Sequence, residues 1–102
     1  MRKKKQNRIS PIHPGEILRE EYMLPLKLTQ YRVSKATQMA PVWISGLVHE
    51  KRSITPESAM RLGRLLGTSA EFWLNLQVHY DLAVAKKKLE KKIETEVAPL
   101  VA

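Results

Sequence analysis

The chain contains no cysteine. That excludes a disulfide framework and any site built on thiolate ligands, and it suits a reducing compartment. Long apolar runs are missing too: nothing approaches the roughly 18 residues a membrane span needs, and the basic N-terminus is not followed by the apolar core of a secretion signal. A cytoplasmic location with no membrane partner is expected. Enzyme patterns are also absent. His13, His49 and His79 lie 36 and 30 residues apart, with no HExxH, clustered carboxylates, nucleophile elbow or glycine-rich phosphate cradle. His49-Glu50 lacks the second histidine of a zinc motif. No catalytic residue, metal or cofactor is expected.

Negative charge is scarce, with 10 acidic residues against 18 basic ones and a formal net charge of +8. The excess is uneven. Met1 to Ile54 holds 11 basic and 4 acidic residues, whereas Thr55 to Ala102 holds 7 and 6. A half-domain this basic matches either a polyphosphate-binding surface or a lysine-rich solvated one. The 102 residues, 43% of them hydrophobic, suffice for one compact core and are too few for two.

The chain is punctuated as helices, without strand alternation or internal repeats, so the expected fold class is all-α. Residues 1–13, MRKKKQNRISPIH, have no apolar period and read as a flexible basic arm, residues 14–85 as the folded domain, and residues 86–102 as a charged helical extension or tail. Pro14 suits a first helical turn, and Ile17, Leu18 and Tyr22 form a stripe that Pro25 is expected to break. Thr29 caps a second helix, QYRVSKAT, and Pro41 opens a third after Gln38, Met39 and Ala40. Two helices joined by so short a connection form a helix-turn-helix. Beyond EKRSI, Thr55, Pro56 and Gly67 delimit a fourth helix. Thr68 and Glu71 are expected to box the start of a fifth, whose Phe72, Trp73, Leu76 and Tyr80 recur at helical spacing. Leu89, Ile93 and Val97 continue a sparse period of four through the charged tail.

On a helical wheel the third helix turns Ile44, Leu47 and Val48 inward. Its outward side then carries Pro41, Val42, Ser45, Gly46 and His49, with Trp43 on one flank. These residues are smaller and more apolar than a solvated face, and a recognition helix presents such a surface to base edges in the major groove. Gln30, Lys35, Lys51 and Arg52 are candidates for phosphate contact, which positions a protein without specifying sequence. The run Arg2 to Lys5 reads either as a solubility tail or as an arm entering a minor groove. Trp73, Leu76, Tyr80, Leu89 and Ile93 form a candidate dimer or partner interface, although Phe72, Trp73 and Leu76 equally suit the core.

HPGEILREEYMLPLKLTQYRVSKA and, after the third helix, EKRSITPESAMRLGRLLGTSAEFWLNLQVHYDLAVAK resemble the HigA antitoxins, also called the VapI group, of the lambda-repressor-like superfamily. The resemblance covers residues 13–86, and its most specific pieces are HPGEILREE and GTSAEFWLNLQ. It implies a five-helix, homodimeric repressor that binds a palindromic operator, represses its own operon and neutralises HigB, a RelE-like toxin that cleaves messenger RNA. The alternative is a stand-alone regulator of the same fold without a toxin. Because RelE-like toxins are themselves basic, Glu16, Glu20 and Glu21 are candidates for the toxin-facing patch. The chain departs from the family pattern at Gln38, where glycine is usual, at Ala40, where serine often caps, and at His49-Glu50, in place of Asn-Gly.

Overall fold

A computed structural model describes residues 10–101, which form helices joined by short connections, with no strand among the described residues. The basic run Arg2 to Lys5 lies outside the described residues. The first helix, α1, consists of an α-helical Pro14–Ile17, a π-helical Leu18–Met23 and an α-helical Leu24–Leu26. Proline at position 25 does not break it, contrary to expectation. The helix widens one turn earlier, so that the Leu24 N–H bonds the Arg19 carbonyl five residues back. A wider register makes room for a ring that would otherwise press on the carbonyl four residues back. α1 ends only at Lys27, in left-handed backbone with φ 56°.

Four further helices follow: α2 (Gln30–Thr37), α3 (Pro41–Val48), α4 (Pro56–Leu66) and α5 (Ala70–Glu96). Their starts are chemically marked. The Thr29 side chain accepts from the Arg32 N–H, and Thr55 and Ser58 satisfy each other's backbone N–H groups in a capping box. Gly67 closes α4 at φ 75°. For α5 the capping residue is Ser69, which accepts from the Phe72 N–H. Thr68 is employed otherwise: its hydroxyl accepts the Trp73 indole N–H at 2.7 Å.

Leu18, Val33, Ile44, Leu47, Ala59, Leu62 and Trp73 are fully buried, so every helix contributes at least one side chain to a common core. Each large aliphatic among them stabilises the fold by about 1.5–3 kcal/mol relative to exposure. Trp73 is its centre, with its ring 5.5 Å from Tyr22 and 5.0 Å from Phe72. The ordered domain starts before residue 14: Pro11 and Ile12 are half-buried and His13 is buried. At the other end α5 runs unbroken into the charged tail, and the described molecule measures 51 × 30 × 23 Å.

Candidate nucleic-acid interface

The turn between α2 and α3 works without glycine. Gln38 adopts φ 61°, the Met39 N–H bonds the Ser34 carbonyl at 3.2 Å, and the Ser34 hydroxyl donates to the Met39 carbonyl at 2.6 Å. From α4, Arg61 donates to the Thr37 carbonyl at 2.9 Å and ties off the end of α2. Left-handed backbone at a side-chain-bearing residue costs about 1–2 kcal/mol, and these bonds offset it.

α3 is clamped from below and behind. Ile44, Leu47 and Val48 enter the core. Gly15 lies directly against the Leu47 carbonyl, where no Cβ fits. Arg19 donates to the Val48 carbonyl and pairs with Glu50 at 3.3 Å, placing a cation at the negative end of the α3 dipole. The helix closes in a Schellman motif: Glu50 takes φ 63°, its N–H bonds the Leu47 carbonyl, and the Lys51 N–H bonds the Gly46 carbonyl at 2.7 Å.

The loop after α3 is tied at two points. Gln77, buried on α5, accepts the Ile54 N–H at 2.7 Å and donates to Asp81 at 2.9 Å. His13 accepts the Gly15 N–H on Nδ1 at 2.8 Å, hydrogen-bonds the Arg52 backbone, and meets the Tyr80 ring edge-on at 4.8 Å. Burial pushes its pKa below the usual imidazole value; the nearby Glu50 carboxylate and the Arg52 backbone bond oppose that shift without cancelling it.

Against this frame the outward side of α3 is narrower than the wheel implied. Pro41, Val42 and His49 are exposed and Ser45 is half-exposed; Val42, Ser45 and His49, at spacings of three and four, form one stripe. Trp43 is not on it. Its half-buried ring packs on the core beside Met39 and shares a cleft with Thr55, Ser58 and Arg61. Gly46 is not open either, because the aliphatic stem of Arg52 lies over it, within 3 Å of where a Cβ would stand. The glycine admits an arginine of the same chain rather than a base.

Exposed cations stand on the segments before and after α3. Lys51 and Arg52 are exposed just past α3, and Lys35 is exposed on α2, its ammonium 5.8 Å from the centre of the Tyr31 ring. Gln30, half-buried, is the first residue of α2. Tyr31, 69% exposed, borders a shallow pocket with Lys35, Ala40 and Pro41. Sequence reasoning missed it, although a tyrosine four residues before a lysine on one helix signals a shared face. It also missed Arg19, His13 and Gln77, whose roles depend on long-range partners.

No protein-family model matches the chain. Virulence-associated protein I of Dichelobacter nodosus is 45% identical over 82 residues, 80% of this chain and 76% of that protein. The structure of the Pseudomonas aeruginosa antitoxin HigA with the higBA promoter superposes with a TM-score of 0.87 at 42% identity, covering 89% of this chain and 99% of that one. An addiction module antidote protein of the HigA family from Coxiella burnetii gives a TM-score of 0.84 at 44% identity, over 88% and 98% of the two chains. The chain belongs to the HigA family of antitoxins. Within the HigA frame, its interface candidates divide sharply. Trp73 is wholly buried and Glu16 nearly so, which removes both from any docking surface. Leu76 and Tyr80 are half-buried and line a cleft with Pro11 and Ile12. Leu89 and Ile93 remain exposed, together with Val78 and Leu82. Glu20 is half-buried 3.7 Å from Arg19, and Glu21 is exposed.

Proposed function

We propose that this chain is the DNA-binding antitoxin of a type II toxin–antitoxin pair: a homodimer that binds operator DNA, represses its own operon and neutralises a RelE-like toxin of the HigB kind. One observation carries the reading. The apolar side of α3 is consumed by the core while Val42, Ser45 and His49 stay outside, with Tyr31 and Lys35 sharing a pocket with Pro41 at its start and the Arg52 stem lying over Gly46. That is the chemistry of a groove-reading helix between phosphate-binding groups. Val42 suits a thymine methyl, and the Ser45 hydroxyl either donates or accepts at a base edge. The likeness to an antitoxin solved with its promoter supports DNA as the partner here.

The dimer is assigned to α5. Val78, Leu82, Ala85, Leu89 and Ile93 follow one another at spacings of three and four along a helix roughly 40 Å long. Glu20 and Glu21 on α1 are the remaining acidic patch for a basic toxin.

The test combines a footprint on the DNA upstream of the gene with co-purification of the neighbouring gene product. Protection of a palindrome whose half-sites lie about one helical turn, roughly 34 Å, apart supports a two-fold symmetric repressor. Retention of a basic RelE-like protein separates an antitoxin from a stand-alone regulator. No binding to upstream DNA at low salt would defeat both readings.

A further inference from the structure

We infer that His49 specifies one operator base pair by accepting a hydrogen bond from an exocyclic amino group, the N4 of cytosine or the N6 of adenine; this rests on α3 being the helix that enters the groove. His49 caps the C-terminus of α3, is exposed, and lies on the stripe with Val42 and Ser45. Its ring is not free to choose a tautomer. Nδ1 stands 2.8 Å from the Ser45 backbone carbonyl and 3.4 Å from the Ser45 hydroxyl. A carbonyl oxygen only accepts, so the proton of the neutral ring sits on Nδ1 and Nε2 is left as a bare acceptor, directed away from that carbonyl.

The major-groove code makes this polarity informative. Adenine N6 and cytosine N4 are donors there, whereas guanine presents two acceptors and thymine an acceptor and a methyl group. An acceptor at the end of the stripe matches the first pair and opposes the second. Its neighbours have no such bias: the Ser45 hydroxyl donates or accepts, and Val42 offers only apolar contact. His49 is therefore the residue of the stripe whose hydrogen-bonding sense is fixed before DNA arrives, by a bond within its own helix.

The experiment uses the full chain and its upstream operator, each base pair of one half-site being replaced in turn by the other three. Competition binding is run at about pH 8, above the range in which imidazoles titrate, for the wild type, His49→Ala and His49→Gln. The expected result is one position where adenine or cytosine is favoured over guanine or thymine by about ten-fold. In His49→Ala that preference vanishes while those at other positions persist. In His49→Gln, whose amide pairs bidentately with adenine, the position narrows to adenine. Nitrogen-15 NMR of the free protein should find the His49 proton on Nδ1. A proton on Nε2, a guanine preference at the affected position, or an unchanged ranking in His49→Ala would each overturn the inference. If the wild type itself ranks no sequence above random duplex, operator binding fails and the inference falls with it, an outcome recognisable because no variant is then needed to see it.

Discussion

His13 joins three parts of the molecule: it caps α1, holds the backbone of the loop after α3, and abuts Tyr80 on α5. Its Nδ1 must stay unprotonated to accept from Gly15, and burial lowers its pKa below 6.5. The unfolded chain therefore binds this proton more readily than the native one. The stability His13 contributes is complete above about pH 6.5 and is lost as pH falls through the lowered native value. The urea midpoint of the wild type should fall across that window, and the dependence should be flatter in His13→Asn, whose side chain caps without titrating there. Gln38 is the opposite case, a residue that costs stability where it stands. Gln38→Gly removes the steric penalty at φ 61° and should stabilise the fold by about 1 kcal/mol, raising Tm by roughly 4–8 °C; a lower Tm would show that the turn needs the glutamine side chain. Legibility in the sequence differs at these sites for a physical reason. Thr55 and Gly67 act on their own helix and are readable from spacing, whereas His13 depends on residues 52 and 80, and Trp73 sits on a helix whose sequence does not say which aromatic faces the centre.

At the scale of elements, the helix-turn-helix was legible because its signals are local: Thr29 caps, Pro41 opens, and Ile44, Leu47 and Val48 share a face. The persistence of α1 through Pro25 was not, since a proline announces a break and only a π-turn, built by residues before it, avoids one. The exposed side of α3 was half legible. The wheel placed Val42, Ser45 and His49 on the outward side, but it carries no knowledge of Arg52 folding over Gly46 or of the cleft that holds Trp43. The tail of α5 leads to a prediction at this scale. Leu89 is 43% exposed in the single chain, so Leu89→Glu removes little packing from the domain itself and should change its stability by no more than about 0.5 kcal/mol. Across a two-fold seam the same substitution buries a carboxylate. Sedimentation should then show monomers at concentrations where the wild type is dimeric, with circular dichroism unchanged. Persistence of the dimer would move the seam off this stripe.

For the molecule as a whole, the question is how a chain of net charge +8 separates affinity from selectivity on one small surface. Duplex DNA rewards each neutralised phosphate by releasing counterions, whichever bases are present. In the proposed docking Lys35, Lys51 and Arg52 would contribute to that reward, whereas Val42 and Ser45 on the α3 stripe would not, because their side chains bear no charge. A dimer engaging these three cations on each protomer would lose affinity with a log–log salt slope of about −5. Lys35→Ala, which deletes one contact per protomer, should flatten the slope by roughly 2 and weaken operator and random duplex by similar factors, leaving the ranking of operator variants intact. Val42→Ala should do the reverse: an unchanged salt slope, with discrimination reduced by about 1 kcal/mol or more at the base pair that bears the methyl group. Salt titrations of both proteins on the operator and on one shuffled duplex measure the two effects independently. If Lys35→Ala reorders the operator variants, or Val42→Ala alters the slope, charge and readout are not divided between the two helices and the docking of α3 inferred from its exposed stripe is wrong.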